Sequence, residues 1–223
     1  MSMKLKANLH FHTSDDPCDK VPYTLEEGIV RASQLGFRVL AVTLHEAVYD
    51  VGGMAEFARK HGIILIAGAE VKISGRHTVI INAHKDAEKI KSFPDLISYR
   101  NDHPESFVLA PHPYYLFHSL GDKLEKNVDL FDGIEFSWFY SKFFDLNKKA
   151  SFFAKNVKKP FIATSDTHFL RYLDESYCII ESDGEDITSI LSSLRAGKFE
   201  NVSSNKKNFF TLLFIWLKYL LFL

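Results

Sequence analysis

Short apolar runs alternate along this chain with segments that carry helix punctuation, and this alternation limits the available folds more than any other feature. Lys4–Leu9, Arg38–Thr43, Ile63–Ala67, Val71–Ile73, Thr78–Asn82, Phe107–Ala110, Gly133–Phe136 and Phe161–Thr164 read as strands. Thr78–Asn82 is near-continuously apolar, the pattern of a strand covered on both faces rather than half exposed. Between these runs, Thr24-Leu25-Glu26-Glu27 forms a capping box. The Thr24 hydroxyl accepts from the Glu27 amide and the Glu27 carboxylate reaches back, opening a helix that closes at Gly36. Further helices are predicted around Met54–His61, stopped by Gly62, over Lys142–Asn156, and from Ile187 to Ala196 between an Asp186 cap and Gly197. Repeated strand–helix units with mostly buried strands predict a single α/β unit closed into a barrel.

Composition narrows the function. With 46% hydrophobic and 25% charged residues, the 223-residue chain can bury a full core. A formal net charge of -1 excludes the general cationic surface that drives non-specific nucleic-acid binding. Cys18 and Cys178 stand far apart and outside any CxxC pair, so a disulfide framework or a cysteine zinc site is not expected. The first residues lack the apolar segment of a secretory signal, and a cytoplasmic protein is the expectation. The 10 histidines require a chemical explanation.

Their positions supply one. His10 and His12 end the first strand, two residues apart and therefore on one face of an extended segment. His45 follows Arg38–Thr43, Glu70 follows Ile63–Ala67 and a turn at Gly68, and His77 begins Thr78–Asn82. His112 follows Phe107–Ala110, and Asp166 and His168 follow Phe161–Thr164. Most of these groups sit just beyond the carboxyl end of a strand, the rim where α/β barrels build their sites. Six imidazoles and two carboxylates desolvated on one rim require compensating charge, and bound divalent cations supply it. Mixed nitrogen and oxygen donors suit Zn, Mn or Fe better than Mg or Ca.

The segments Asn8-Leu9-His10-Phe11-His12-Thr13-Ser14, Val42-Thr43-Leu44-His45, Gly68-Ala69-Glu70, Ala110-Pro111-His112-Pro113 and Ser165-Asp166-Thr167-His168 occur in the order of the motifs of the PHP family, named for its polymerase and histidinol phosphatase members. The resemblance covers about residues 4–200. It implies a distorted (β/α)7 TIM-like barrel, two or three divalent metal ions, and phosphoester hydrolysis. Carried over, His10, His12, Glu70 and Asp166 would hold one ion. Glu70, His77 and His112 would hold a second, with Glu70 bridging the two, and His45 and His168 a third with an oxygen from the first loop. That loop is shorter than the common family pattern, so Asp15 and Asp16 compete for the last role; Asp15 is the expected ligand. Leu44 stands where many relatives place an aspartate. Two cations about 3.5–4 Å apart can share and acidify a water, so no Ser or Cys nucleophile is required. Glu70, His112, Asp166 and His168 are the expected catalytic residues, and a third-site imidazole would protonate the leaving group.

Outside these motifs, Arg171 is a candidate phosphate contact, and Glu135 and Ser137 lie at a strand end where they could line the pocket. His84 reads as structural, and His103 and His118 as surface or loop residues. The substrate expected is a small phosphorylated or nucleotide-like molecule, without extended nucleic-acid binding. A histidinol-phosphatase-type monoesterase and a non-catalytic metal-binding scaffold are the alternatives. Residues 205–223 form a separate tail after a phosphoesterase domain at 1–204. Apart from Thr211 and Lys218, Phe209–Leu223 is apolar on every face, though shorter than the roughly 20 residues that span a bilayer. The expectation is an apolar C-terminal helix that contacts a second subunit or a membrane surface.

Overall fold

The computed structural model describes residues 2–115, 118–141, 145–204, 212–214 and 217. Strands β1 (Met3–Phe11), β2 (Val39–His45) and β3 (Ile64–Ile73) run parallel, connected by α1 (Leu25–Gln34) and α2 (Ala55–Lys60). At Ser74-Gly75, both at positive φ, the chain reverses into β4 (Arg76–Ile81), antiparallel to β3. After α3 (Phe93–Asp102), β5 (Phe107–Ala110) returns antiparallel to β4. Next come α4 (Asp122–Lys126), β6 (Gly133–Ser137), α5 (Asn147–Asn156) and β7 (Phe161–Thr164), with β5, β6 and β7 parallel. Then β8 (Ser176–Ser182) pairs antiparallel with β1 and, beyond α6 (Ile187–Arg195), β9 (Phe199–Ser203) pairs with β8.

The sheet order β7-β6-β5-β4-β3-β2-β1-β8-β9 curls until β7 lies beside β8 and β9. A side chain seals this seam. Asn201 of β9 accepts from the Ala163 amide at 2.8 Å and donates to the Phe161 carbonyl at 2.7 Å, replacing the ladder that β7 lacks on that edge. Above it, Phe11 bridges to Thr167. The fold is thus a nearly closed, distorted TIM-like barrel in an α/β chain.

Strand alternation assigns the two faces. Val39, Ala41, Ile66, Val79, Ile81, Phe107, Leu109 and Ile162 fill the interior, and α6 closes its floor with Ile190, Leu191 and Leu194. Leu40, Val42 and Leu44 face the other way, onto Leu25, Ile29 and Ala32 of α1. Thr24 makes both halves of the predicted capping box, and Asp186 caps α6 through the Ser189 amide.

Three local expectations change. Gly68 is not a turn: β3 runs straight through it, because a Cβ there would meet the Val42 and Ile80 carbonyl oxygens at 2.9 and 3.0 Å. Glycine serves there for close strand approach. The helix around Met54–His61 divides into a 3-10 turn at Val51–Met54 and α2. The helix predicted from Lys142 begins at Asn147, with 142–144 outside the described residues. Most of the predicted apolar tail also lies outside them. Of its described part, Leu212 is buried while Leu213, Phe214 and Leu217 are exposed. No helix among the described residues is long and apolar enough to cross a membrane.

Candidate metal centre

A backbone irregularity opens the site. Between Asn8 and Phe11, β1 advances three residues while β2 advances two, the signature of a bulge. Below it Leu5, Ala7 and Leu9 point into the barrel; above it Phe11 packs outward on Tyr23 and Leu25. The extra residue therefore leaves His10 and His12 facing the interior rim. They are fully buried there, as is Glu70, with His45, His77 and His168 almost so.

Glu70 is the centre of the cluster. Its Oε2 lies 3.1 Å from His10 Nε2, 3.1 Å from His45 Nε2 and 3.4 Å from His12 Nε2. Its Oε1 lies 2.7 Å from His77 Nδ1 and 3.3 Å from His112 Nε2. Asp166 Oδ1 stands 3.4 Å from each of His10 Nε2, His12 Nε2 and His168 Nδ1. His112 and Asp166 both hold positive φ, 29° and 40°, a costly backbone for non-glycine residues at the points where strands hand over to the rim.

Behind this cluster, carboxylates orient the rings. Glu135, fully buried, bonds His10 Nδ1 at 2.8 Å, accepts from the His112 amide at 2.5 Å and also accepts from the Thr164 hydroxyl. Asp16 Oδ2 takes both His12 Nδ1 at 2.9 Å and His45 Nδ1 at 3.0 Å. The outer nitrogens of His10, His12 and His45 are thereby occupied, which leaves each Nε2 aimed inward, the arrangement that supports metal ligation.

Burial alone would neutralise Glu70 and Asp166. Imidazoles on every side reverse that and hold both well below the ordinary carboxylate range. Burial likewise disfavours charged imidazoles. Yet Glu70 and Asp16 raise His45 to about 11, the hydrogen bond to Asp16, with Asp166 and Glu70 close by, raises His12 to about 9, and Asp166, Glu70 and Glu135 raise His10. His77 goes the other way: burial, helped by His112 and His45, outweighs Glu70 and lowers it. The carboxylates thus demand positive charge inside the barrel, which protons or cations can provide.

Comparison with known proteins turns on the last third of the chain and on the fold. Residues 145–199 match the family model described as PHP-associated. A Bacteroides vulgatus two-domain protein containing a predicted PHP-like metal-dependent phosphoesterase superposes with a TM-score of 0.69 at 16% identity, over 98% of this chain and 70% of that one. In fold, the chain is similar to this PHP-like protein. PsfC from Pseudomonas syringae is similar at a TM-score of 0.63 and 13% identity, over 97% of both chains. The lesion-specific endonuclease PfuEndoQ of Pyrococcus furiosus gives 0.65 at 12% identity over 91% of this chain, which spans 60% of that protein. No curated protein matches by sequence.

Within this barrel, His10, His12, His45, Glu70, His77, His112, Asp166 and His168 converge. Asp15 does not: it is exposed and its carboxylate accepts from the Thr13 hydroxyl. The loop turns instead on Asp16, which accepts from the Cys18 and Asp19 amides and so points into the barrel. Asp19, overlooked in the sequence, lies 2.9 Å from His168 Nε2 and 3.6 Å from His45 Nδ1. Nothing in its local pattern separates it from an ordinary loop acid. Arg171 is exposed, its guanidinium over the Tyr172 and Phe169 rings. His118, expected in a loop, stacks on His77 with ring centroids 4.9 Å apart. Two facing atoms test whether cations suit the centre: His12 Nε2 and Asp166 Oδ1 are both buried without a hydrogen-bond partner. A basic nitrogen and a carboxylate oxygen orphaned side by side fit a divalent cation between them.

Proposed function

We propose that the chain is a metal-dependent phosphoesterase acting on a small phosphorylated or nucleotide-like molecule. The observation that carries the reading is the division of Glu70, whose two oxygens face different histidine sets, His10, His12 and His45 on one side and His77 and His112 on the other. A carboxylate so placed is suited to bridge two ions. His10, His12, Glu70 and Asp166 would hold the first, and Glu70, His77 and His112 the second. His45 and His168 would serve a third, with Asp19 in the role expected of Asp15. Divalent cations, Zn, Mn or Fe, would supply an acidified water near neutral pH and neutralise phosphoryl charge.

The chain's own residues do the rest. Glu135 and Asp16 fix ring orientation. Where the third position holds no ion, His168 Nε2, paired with Asp19 at the edge of the cluster, is placed to return a proton to a leaving oxygen. A similar fold occurs in an endonuclease, so phosphodiesters belong in the test beside monoesters. Purified protein should hydrolyse at least one member of a panel of phosphomonoesters and phosphodiesters with Mn or Zn and none after chelation. Glu70→Ala should lose both activity and about two bound ions per chain by elemental analysis. Retention of both ions in that variant, or hydrolysis unaffected by chelators, would sink the reading.

A further inference from the structure

A second group of metal-type donors lies at the other end of the barrel. Because β4 runs antiparallel to β3 and β5, its start brings His77 to the rim and its end leads to the opposite floor. There His84 follows β4, Asp86 sits in the next turn, His103 follows α3 and Glu105 precedes β5. Glu105 Oε1 lies 2.6 Å from His84 Nε2 and 3.8 Å from His103 Nδ1. The two rings stack with centroids 4.1 Å apart at 16°. The ligand atoms of His84, His103 and Glu105 all lie within 4.8 Å of one another. Donors about 2.0–2.2 Å from a zinc ion stand about 3.3–3.5 Å apart in a tetrahedron, and the observed 2.6 and 3.8 Å bracket that spacing.

Two features distinguish the group from a chance surface cluster. Asp86 Oδ2 holds the far nitrogen of His103, Nε2, at 2.9 Å, leaving Nδ1 to face Glu105; this is the carboxylate–histidine pairing that backs metal ligands. One residue also braces both imidazole-bearing segments. The Tyr99 hydroxyl accepts from the His84 amide at 3.0 Å, the Tyr99 carbonyl accepts from the His103 amide at 2.8 Å, and its ring packs against that of His103.

We infer that His84, His103 and Glu105 form a separate transition-metal site of the zinc type, with Asp86 orienting His103 and the fourth position open to water. An ion there ties the turn after β4, the end of α3 and the approach to β5 into one clip on the barrel floor. The competing account is two independent surface ion pairs, His84–Glu105 and His103–Asp86, which bind no metal.

The test is equilibrium dialysis of the full chain against buffered micromolar zinc, followed by elemental analysis. His84→Ala and Glu105→Gln should each hold one ion fewer per chain than the parent. Asp86→Asn should retain the ion with about 10–100-fold weaker affinity. Zinc should raise the parent's thermal midpoint more than that of His84→Ala. Equal zinc content in the parent and both ligand variants would overturn the site. Because these residues lie at the far end from Glu70, loss of an ion in Glu70→Ala but not in His84→Ala would separate failure here from failure of the hydrolase reading.

Discussion

Glu135 shows how much of a metal centre can depend on a residue that would touch no ion. Buried and bonded to His10, the His112 amide and Thr164, it links two of the proposed sites through one carboxylate. Glu135→Gln keeps the volume but places a donor where an acceptor is needed. Metal affinity should fall about 10–100-fold by competition dialysis, and an unchanged affinity would reduce Glu135 to a packing role. At this scale the sequence was legible where residue type and strand position coincided, as at His10, His12, Glu70, His112 and Asp166. It was illegible in the first loop. Asp15, Asp16 and Asp19 differ there only in which amides turn the backbone around them, and that follows from Asp16 accepting from Cys18 and Asp19.

Among elements, the parallel strands and the helices opened by Thr24 and Asp186 were readable because they carry continuous apolar runs and punctuation, whereas α3, though capped at Ser92, was missed. Antiparallel β4 was readable for the same reason as the parallel strands, but β8 and β9 were not. Ser176–Ser182 and Phe199–Ser203 mix polar and apolar residues, since β9 is only partly covered, and so give no buried-strand signal. Gly68 misled for a different reason, a glycine needed for proximity and not for a turn. Gly68→Ala would press a Cβ onto two backbone oxygens, which cannot rotate aside. The cost should be about 1–3 kcal/mol, read as a thermal midpoint several degrees lower. A variant as stable as the parent would show that β2, β3 and β4 can part without penalty.

Across the molecule, the floor is braced by Asp132. It takes Arg100 through both oxygens, at 2.7 and 3.3 Å, and also the Val108 amide and Arg195. Burial opposes its charge, but these donors prevail and its pKa is lowered. A depressed carboxyl contributes stability that is full above the unfolded value of about 3.9 and is lost as pH falls through the lower folded value. Denaturant titrations should therefore show the parent weakening below about pH 4. Asp132→Asn should start about 1.5–3 kcal/mol lower at neutral pH and respond less to acid. Parallel pH profiles for the two proteins would refute this. The seam between β7 and β9 has a consequence in time. During synthesis, every proposed ligand of the main centre, from His10 to His168, leaves the ribosome before Asn201, the residue that seals the edge of β7. A nascent chain thus presents every proposed ligand before the residue that seals the cylinder has emerged.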